Sequence, residues 1–317
     1  VQGQKFDLIL KALTLPVSNV NDFDLLPIPY RAVAMDITTG EEVVLSTGDL
    51  SIAMHASMAI PGAFSPVKLN SKLLVDGGAA NNLPISVVRE MGADIVIAID
   101  ISTPLLKQED LGGALAVIDQ LTGILTRRNV ETQIKTLSDR DVLIVPELGS
   151  IATMDFEQVD EAVVVGRAAG MAAKQQLVQL SVNRQAYLQY QQSQSRKDLE
   201  QQVIEFVRFD NDSKLSEQVL REHLNVEAGD VLNLYKIESG IANIYGLDIF
   251  ESVRYNLVKK GEETGLIIHA KQKSWGTDSL QAGLELSSDL SGQSSFNLGF
   301  AYTKQPFNEL NGEWRTA

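Results

Sequence analysis

Apolar and polar positions change rhythm three times along this chain. Between residues 30 and 100, short apolar runs are separated by glycine- and proline-marked breaks. YRAVAMDI and EEVVLS predict strands, residues 50–58 a helix, Leu73, Leu74 and Val75 the end of a buried strand, and ADIVIAID a strand buried on both faces. From 111 to 137 the period lengthens. Leu115, Ile118, Leu121 and Leu125 recur at helical spacing, so that face is expected to be core, with Arg127 and Arg128 as solvated charges. DVLIVPEL predicts another strand. VDEAVVVGRAAGMAAKQQL predicts a long helix that Asp155 could cap and whose small residues suit close packing on a sheet. YLQYQQSQSRKD then turns polar and glutamine-rich, as either a solvated helix end or a linker, and a domain boundary is expected there.

The second rhythm occupies residues 202–273. VIEFVRF, LSEQVLREHL, VLNLYKIESGIANIYGL, SVRYNLV and GLIIHAKQ predict the order strand, helix, helix, strand, strand. The third is strict alternation. In LQAGLELS, Leu280, Ala282, Leu284 and Leu286 alternate with Gln281, Gly283, Glu285 and Ser287; in SFNLGFAYT, Phe296, Leu298, Phe300 and Tyr302 alternate with Asn297, Gly299, Ala301 and Thr303. The two segments predict one hairpin with an apolar and a polar face. A lipid-facing barrel strand requires this pattern, and a half-buried soluble hairpin has it too. A third strand is expected from about Trp314.

Composition narrows the chemistry. A hydrophobic share of 44% with 21% charged residues is ordinary for a globular chain long enough for two or more domains. The balance of 27 basic against 41 acidic residues, a net charge of −14, disfavours electrostatic binding of nucleic acid or anionic head groups. With no cysteine there is no disulfide, thiolate metal site or thiol nucleophile. Three histidines, His55, His223 and His269, lie far apart, which argues against a histidine-rich metal site and a Ser-His-Asp triad. No apolar run approaches the length of a membrane helix, and the start lacks both a methionine and a signal-peptide pattern.

The candidate chemistry lies in LLVDGGAANNLP, residues 73–84. Asp76 would sit at a strand's end, where an α/β fold gathers its catalytic groups, and a general base is one reading; a simple Asp-Gly turn is the other. Gly77 and Gly78 would supply backbone angles that a Cβ resists, and Pro84 suits a first helical turn. Asn81 and Asn82 are expected to cap the helix starting near Pro84. Pro61 and Gly62 are expected to end the preceding helix before a loop. Ser51 and Ser57 lack the flanking glycines of a nucleophile elbow and read as parts of a helix that packs the site.

LSIAMHASMAIPGAFSPV, VDGGAANNLP and GADIVIAID, in that order and spacing, resemble the second half of a patatin-like phospholipase domain. The resemblance implies acyl-ester hydrolysis by a serine in G-x-S-x-G and an aspartate in D-G-G, here Asp76 as proton acceptor within the motif Asp76, Gly77 and Gly78, with no metal or organic cofactor. It also places the loop ending at Pro66 beside the active site. No G-x-S-x-G occurs in the sequence. The elbow and oxyanion loop are therefore expected upstream of residue 1, and the fragment alone should be inactive. The phrase IYGLDIFESVRYNL, with the element order around it, resembles a POTRA domain of outer-membrane transporters, in which Tyr245, Gly246 and Phe250 would turn the chain from helix into sheet. The expected architecture is α/β: the C-terminal part of a patatin-like three-layer domain over 1–190, a linker over 191–201, a small α+β POTRA-like domain over 202–273, and a truncated β-barrel start over 274–317. Together these resemble patatin-type proteins of type V secretion in a Gram-negative outer membrane, with phospholipid or another acyl ester as substrate, contact with membrane lipids through the barrel, and no nucleic-acid partner. The alternatives are a polypeptide transporter with a patatin-like passenger, and an inactive lipid-binding module.

Overall fold

The computed structural model describes residues 3–102, 105–149, 151–152, 155–194, 202–261, 263–288 and 294–316. Two compact units result: Val20–Arg196, and Gln2–Asn19 together with Lys197–Ala317. Helix α1 (Gln4–Thr14) packs with the second unit. Residues 195–201 of the expected linker lie outside the described residues.

In the first unit, β1 (Ala32–Asp36), β2 (Glu42–Leu45), β3 (Val67–Leu69) and β4 (Lys72–Asp76) form an antiparallel sheet in the order β2-β1-β4-β3. Helix α2 (Leu50–Ser57) lies between β2 and β3 in sequence and buries Ala53, His55 and Ala56. Asp49 starts it by accepting the N–H groups of Ser51 and Ile52. After β4 come a single turn, α3 (Gly78–Asn81), and α4 (Ile85–Glu90). A second, parallel sheet has two strands, β5 (Ile97–Ile99) and β6 (Val142–Ile144), joined by α5 (Ala114–Ile134). α6 (Val159–Ala172), α7 (Lys174–Gln179) and α8 (Arg184–Ser193) complete the unit.

Several sequence expectations are corrected here. β5 is buried on one face only: Val96 and Ala98 are core, whereas Ile97 and Ile99 are about half exposed, because a two-stranded sheet has one helical layer against it. The face of α5 expected to be core is open at Ile118, Leu121 and Leu125, and Leu115 lies outside the described side chains. The helix is held instead at its C-terminal half, where Val130 and Ile134 meet Leu83, Ile85, Val96 and Ala98. α6 buries none of its residues, so its small side chains serve no sheet packing. Asp155 does not cap it; it precedes a 3-10 turn and accepts the N–H of Ala152.

The second unit keeps the expected order: β7 (Phe206–Asn211), α9 (Glu217–Leu224), α10 (Leu234–Tyr245), β8 (Phe250–Lys260) and β9 (Glu263–Gln272). The sheet order is β7-β9-β8, with β7 parallel and β8 antiparallel to β9. Ile237, Ile241 and Ile244 of α10 and Leu220 and Leu224 of α9 are fully buried against Val253, Tyr255, Leu266 and Ile268. Burial at i, i+4 and i+7 selects the inward helix face. Tyr245 ends α10, Gly246 follows it, and the fully buried Phe250 opens β8.

The edge of β8 is covered by α1. The Gln4 carboxamide donates to Val253 O at 2.5 Å and accepts the Val253 N–H at 3.1 Å, while Arg254 pairs with Asp7 at 3.0 Å and Leu15 enters the core. Beyond β9, β10 (Ser279–Ser288) and β11 (Ser294–Lys304) form the expected hairpin, with Leu280 opposite Tyr302, Ala282 opposite Phe300 and Leu284 opposite Leu298. β12 (Trp314–Thr316) pairs with β11.

Candidate active site

Asp76 is the last residue of β4, paired with Ala34 of β1, so two strands fix its backbone. Its N–H donates to Ala59 O at 3.0 Å, which ties the loop after α2 to the same residue. Ser57 supports the arrangement by donating its hydroxyl to Val33 O at 2.6 Å, and Ser51 bonds to Asp49; both serve structure. The T-shaped contact between the rings of His55 and Phe64, 6.1 Å apart, packs the loop onto α2.

The carboxylate is half-buried. Its Oδ1 accepts the Gly78 N–H at 2.7 Å. Burial raises its pKa above the ordinary aspartate value, and the Gly78 N–H opposes the rise. Among the described residues, no hydrogen bond reaches Oδ2. A carboxylate with one oxygen fixed, the other available and its proton affinity raised is suited to accepting a proton.

The glycines are required for space, which corrects the expectation of unusual backbone angles. Gly77 has ordinary helical angles, φ −75° and ψ −11°, but a Cβ there would lie 2.2 Å from Val33 O. At Gly78 a Cβ would lie 2.9 Å from both Asp76 Oδ1 and Asn82 Oδ1. The side chain of neither Asn81 nor Asn82 caps α4; Pro84 is itself the residue before the first helical turn. Asn81 is buried in α3 and donates to Glu42 Oε1 of β2 at 3.1 Å.

The sequence reading missed a polar stripe on α5. Thr126 Oγ1 donates to Gly78 O at 2.9 Å. Asn129 Nδ2 donates to Gly78 O at 3.0 Å and to Ala79 O at 3.3 Å, and Asn129 Oδ1 accepts the Asn82 N–H at 3.0 Å. One turn further, Gln133 accepts the Ser86 N–H and donates to the Ser86 hydroxyl. Spacing of i, i+3 and i+7 puts all three on one helix face, a signal that attention to the apolar stripe alone passes over.

Among the described residues no group of His, Asp and Glu side chains is arranged to hold a metal ion, and no helix is long and apolar enough to cross a membrane. A cleft of about 380 Å³ is lined by residues that include Tyr30, Val33, Pro84, Val88 and Met91.

Residues 4–89 match the family model described as patatin-like phospholipase. The chain is 30% identical over 172 residues to an uncharacterized NTE family protein of Mycobacterium tuberculosis (strain ATCC 25618 / H37Rv), covering 47% of this chain and 29% of that protein. A second uncharacterized NTE family protein of the same strain is 42% identical over 77 residues, covering 24% and 21%. Patatin-like phospholipase domain-containing protein 7 of Mus musculus is 29% identical over 197 residues, covering 54% and 14%. The chain thus spans less than a third of the length of each of these relatives. A solved structure of BamA from Haemophilus ducreyi lacking POTRA domains 1–3 is similar at a TM-score of 0.31 and 17% identity, over 36% of this chain and 21% of that one.

Proposed function

We propose, on the premise that residues 4–89 carry the sequence of the patatin-like phospholipase family, that the chain is part of a lipid acyl hydrolase in which Asp76 is the general base. The observation that carries the reading is the Asp76 carboxylate at the end of β4, with one oxygen held by Gly78 and its proton affinity raised. The reaction class is acyl transfer to a serine hydroxyl. Asp76 takes the hydroxyl proton as the serine oxygen bonds to the acyl carbonyl carbon, and that proton passes to the departing alcohol oxygen. Water, deprotonated by the same carboxylate, then bonds to the acyl carbon as the acyl–serine bond breaks, the proton returns to the serine oxygen, and the fatty acid leaves. Since the sequence has no G-x-S-x-G, the nucleophile of this reading is not among these 317 residues, and the chain alone is expected to leave acyl esters intact. Phospholipids and related acyl esters are the proposed substrates.

The finer architecture belongs to the same proposal. The order of β7 to β9 supports a POTRA-like module, and the apolar face of β10 and β11 supports the start of an outer-membrane barrel. A transporter carrying an inactive patatin-like passenger is the competing reading. The experiment is hydrolysis of a fluorogenic acyl ester by the longer protein that supplies the serine, wild type beside Asp76→Asn, with folding followed by circular dichroism. Hydrolysis by the wild type and a folded variant slowed by at least about a thousandfold are expected. Equal activity in both removes Asp76 from the chemistry, and no hydrolysis by the wild type on any acyl ester favours the passenger reading.

A further inference from the structure

The turn that presents Asp76 is too short to hold its own shape. α3 has four residues, far below the roughly 12–15 at which an isolated helix becomes even marginal in water. Its own bonds are few: Ala80 and Asn81 donate their N–H groups to Gly77 O at 3.0 and 2.8 Å. Those two bonds grip the peptide between Gly77 and Gly78 by its oxygen. The N–H of the same peptide is the group that donates to Asp76 Oδ1. Whatever fixes this one-turn helix also fixes the direction of the Asp76 carboxylate.

The fixing groups come from α5. Asn129 makes three hydrogen bonds to main-chain atoms of Gly78, Ala79 and Asn82, and Thr126 makes a fourth to Gly78. A carboxamide that donates at Nδ2 and accepts at Oδ1 cannot be matched by a hydroxyl, a carboxylate or an apolar side chain of similar size. We propose that Asn129, seconded by Thr126, is the positioning residue for Asp76: it locks the peptides after Gly78, holds the Gly78 N–H against Oδ1, and leaves Oδ2 directed at the proton to be taken. This rests on the reading of Asp76 as general base. Asn129 touches neither substrate nor reacting atoms in this scheme.

The test is made first on the 317-residue chain, where no hydrolysis is needed. Exchange of the Gly78 amide and titration of the Asp76 carboxyl carbon are followed by NMR in wild type, Asn129→Leu and Thr126→Val. In Asn129→Leu the Gly78 amide is expected to exchange about tenfold faster, as for loss of one hydrogen bond's net contribution, and the Asp76 pKa to rise further because the N–H that lowers it is released. Thr126→Val, which keeps shape and loses one donor, should move both readouts in the same direction by less. In the longer, active protein the pH–rate profile of Asn129→Leu should shift upward with kcat falling and KM unchanged. Unchanged Gly78 exchange and an unchanged Asp76 titration in both variants would overturn the proposal. Should Asn129→Leu fail to fold, Thr126→Val decides alone. Altered NMR readouts beside a longer protein that hydrolyses nothing would leave the positioning role standing and remove the hydrolase reading.

Discussion

At the scale of single residues, Asp76 and Gly77 make opposite claims on stability. The folded-state pKa of Asp76 lies above its unfolded value, so between those two values the folded chain binds more protons and stability falls as pH rises. Above the folded pKa the carboxylate is a standing cost. Asp76→Asn keeps an oxygen for the Gly78 N–H and removes the buried charge, so it is expected to raise the unfolding midpoint at pH 7, with the gain disappearing below the unfolded pKa. Urea melts at pH 7 and near pH 3 check this, and equal midpoints for variant and wild type at pH 7 would sink it. Such a gain would accord with the proposed role of Asp76 as a base, since active-site groups often cost stability. Gly77→Ala should act the other way, costing about 3 kcal/mol or more, since its Cβ would overlap the backbone carbonyl of Val33, which cannot swing aside as a side chain can. A shift in stability below about 1 kcal/mol in the same melts would contradict the close approach. The D-G-G motif was legible in the sequence; the reason for its glycines was not, because a carbonyl from a strand some forty residues earlier fills the space.

At the scale of elements, what could be read was what short-range pattern determines. β1, β2, α2, β4, the five elements β7 to β9 and the final hairpin all follow from local period and punctuation. What could not be read was which neighbour each face would meet. α5 carries an apolar stripe and a polar one, and the polar stripe turned toward the site because the exposed main-chain groups of the one-turn α3 need partners. α1 shows the same principle in the second unit. β8 is an edge strand, and the Gln4 carboxamide supplies Val253 with both a donor and an acceptor, as a neighbouring strand would. Gln4→Ala leaves those two buried groups unpaired and should destabilise this unit by about 1–3 kcal/mol. Both tryptophans, Trp275 and Trp314, lie in this unit, so urea unfolding followed by their fluorescence reads it directly. An unchanged midpoint would show that α1 contributes nothing to the edge. An 11-residue helix is marginal alone, so its amides should also lose protection in the variant.

At the scale of the whole molecule, the hairpin and the net charge bear on the proposed barrel start. Leu280, Leu284, Phe296, Leu298 and Phe300 project from one face and are each more than half exposed, while Gln281, Gly283, Asn297 and Gly299 occupy the other. A soluble sheet of this pattern buries its apolar face against a second layer, and none of the described residues supplies one. We propose an apolar medium as the partner of that face, as for a barrel strand that meets lipid. At a net charge of −14, attraction to anionic head groups is not the source of any affinity, so binding should rest on apolar burial. The chain is therefore expected to partition into zwitterionic detergent micelles or phosphatidylcholine vesicles, and admixture of anionic lipid should weaken partition at low salt, with added salt restoring it. Leu284→Arg puts a charge on the proposed lipid-facing side, where the cost at mid-depth would be about 2–4 kcal/mol, corresponding to a loss of tenfold or more. Gln281→Arg adds the same charge to the opposite face and should leave partition unchanged. Vesicle flotation of the three proteins separates the outcomes. Equal partition of all three, or none by the wild type, would refute the lipid-facing reading of β10 and β11 and return the hairpin to a soluble sheet whose covering layer is another protein surface.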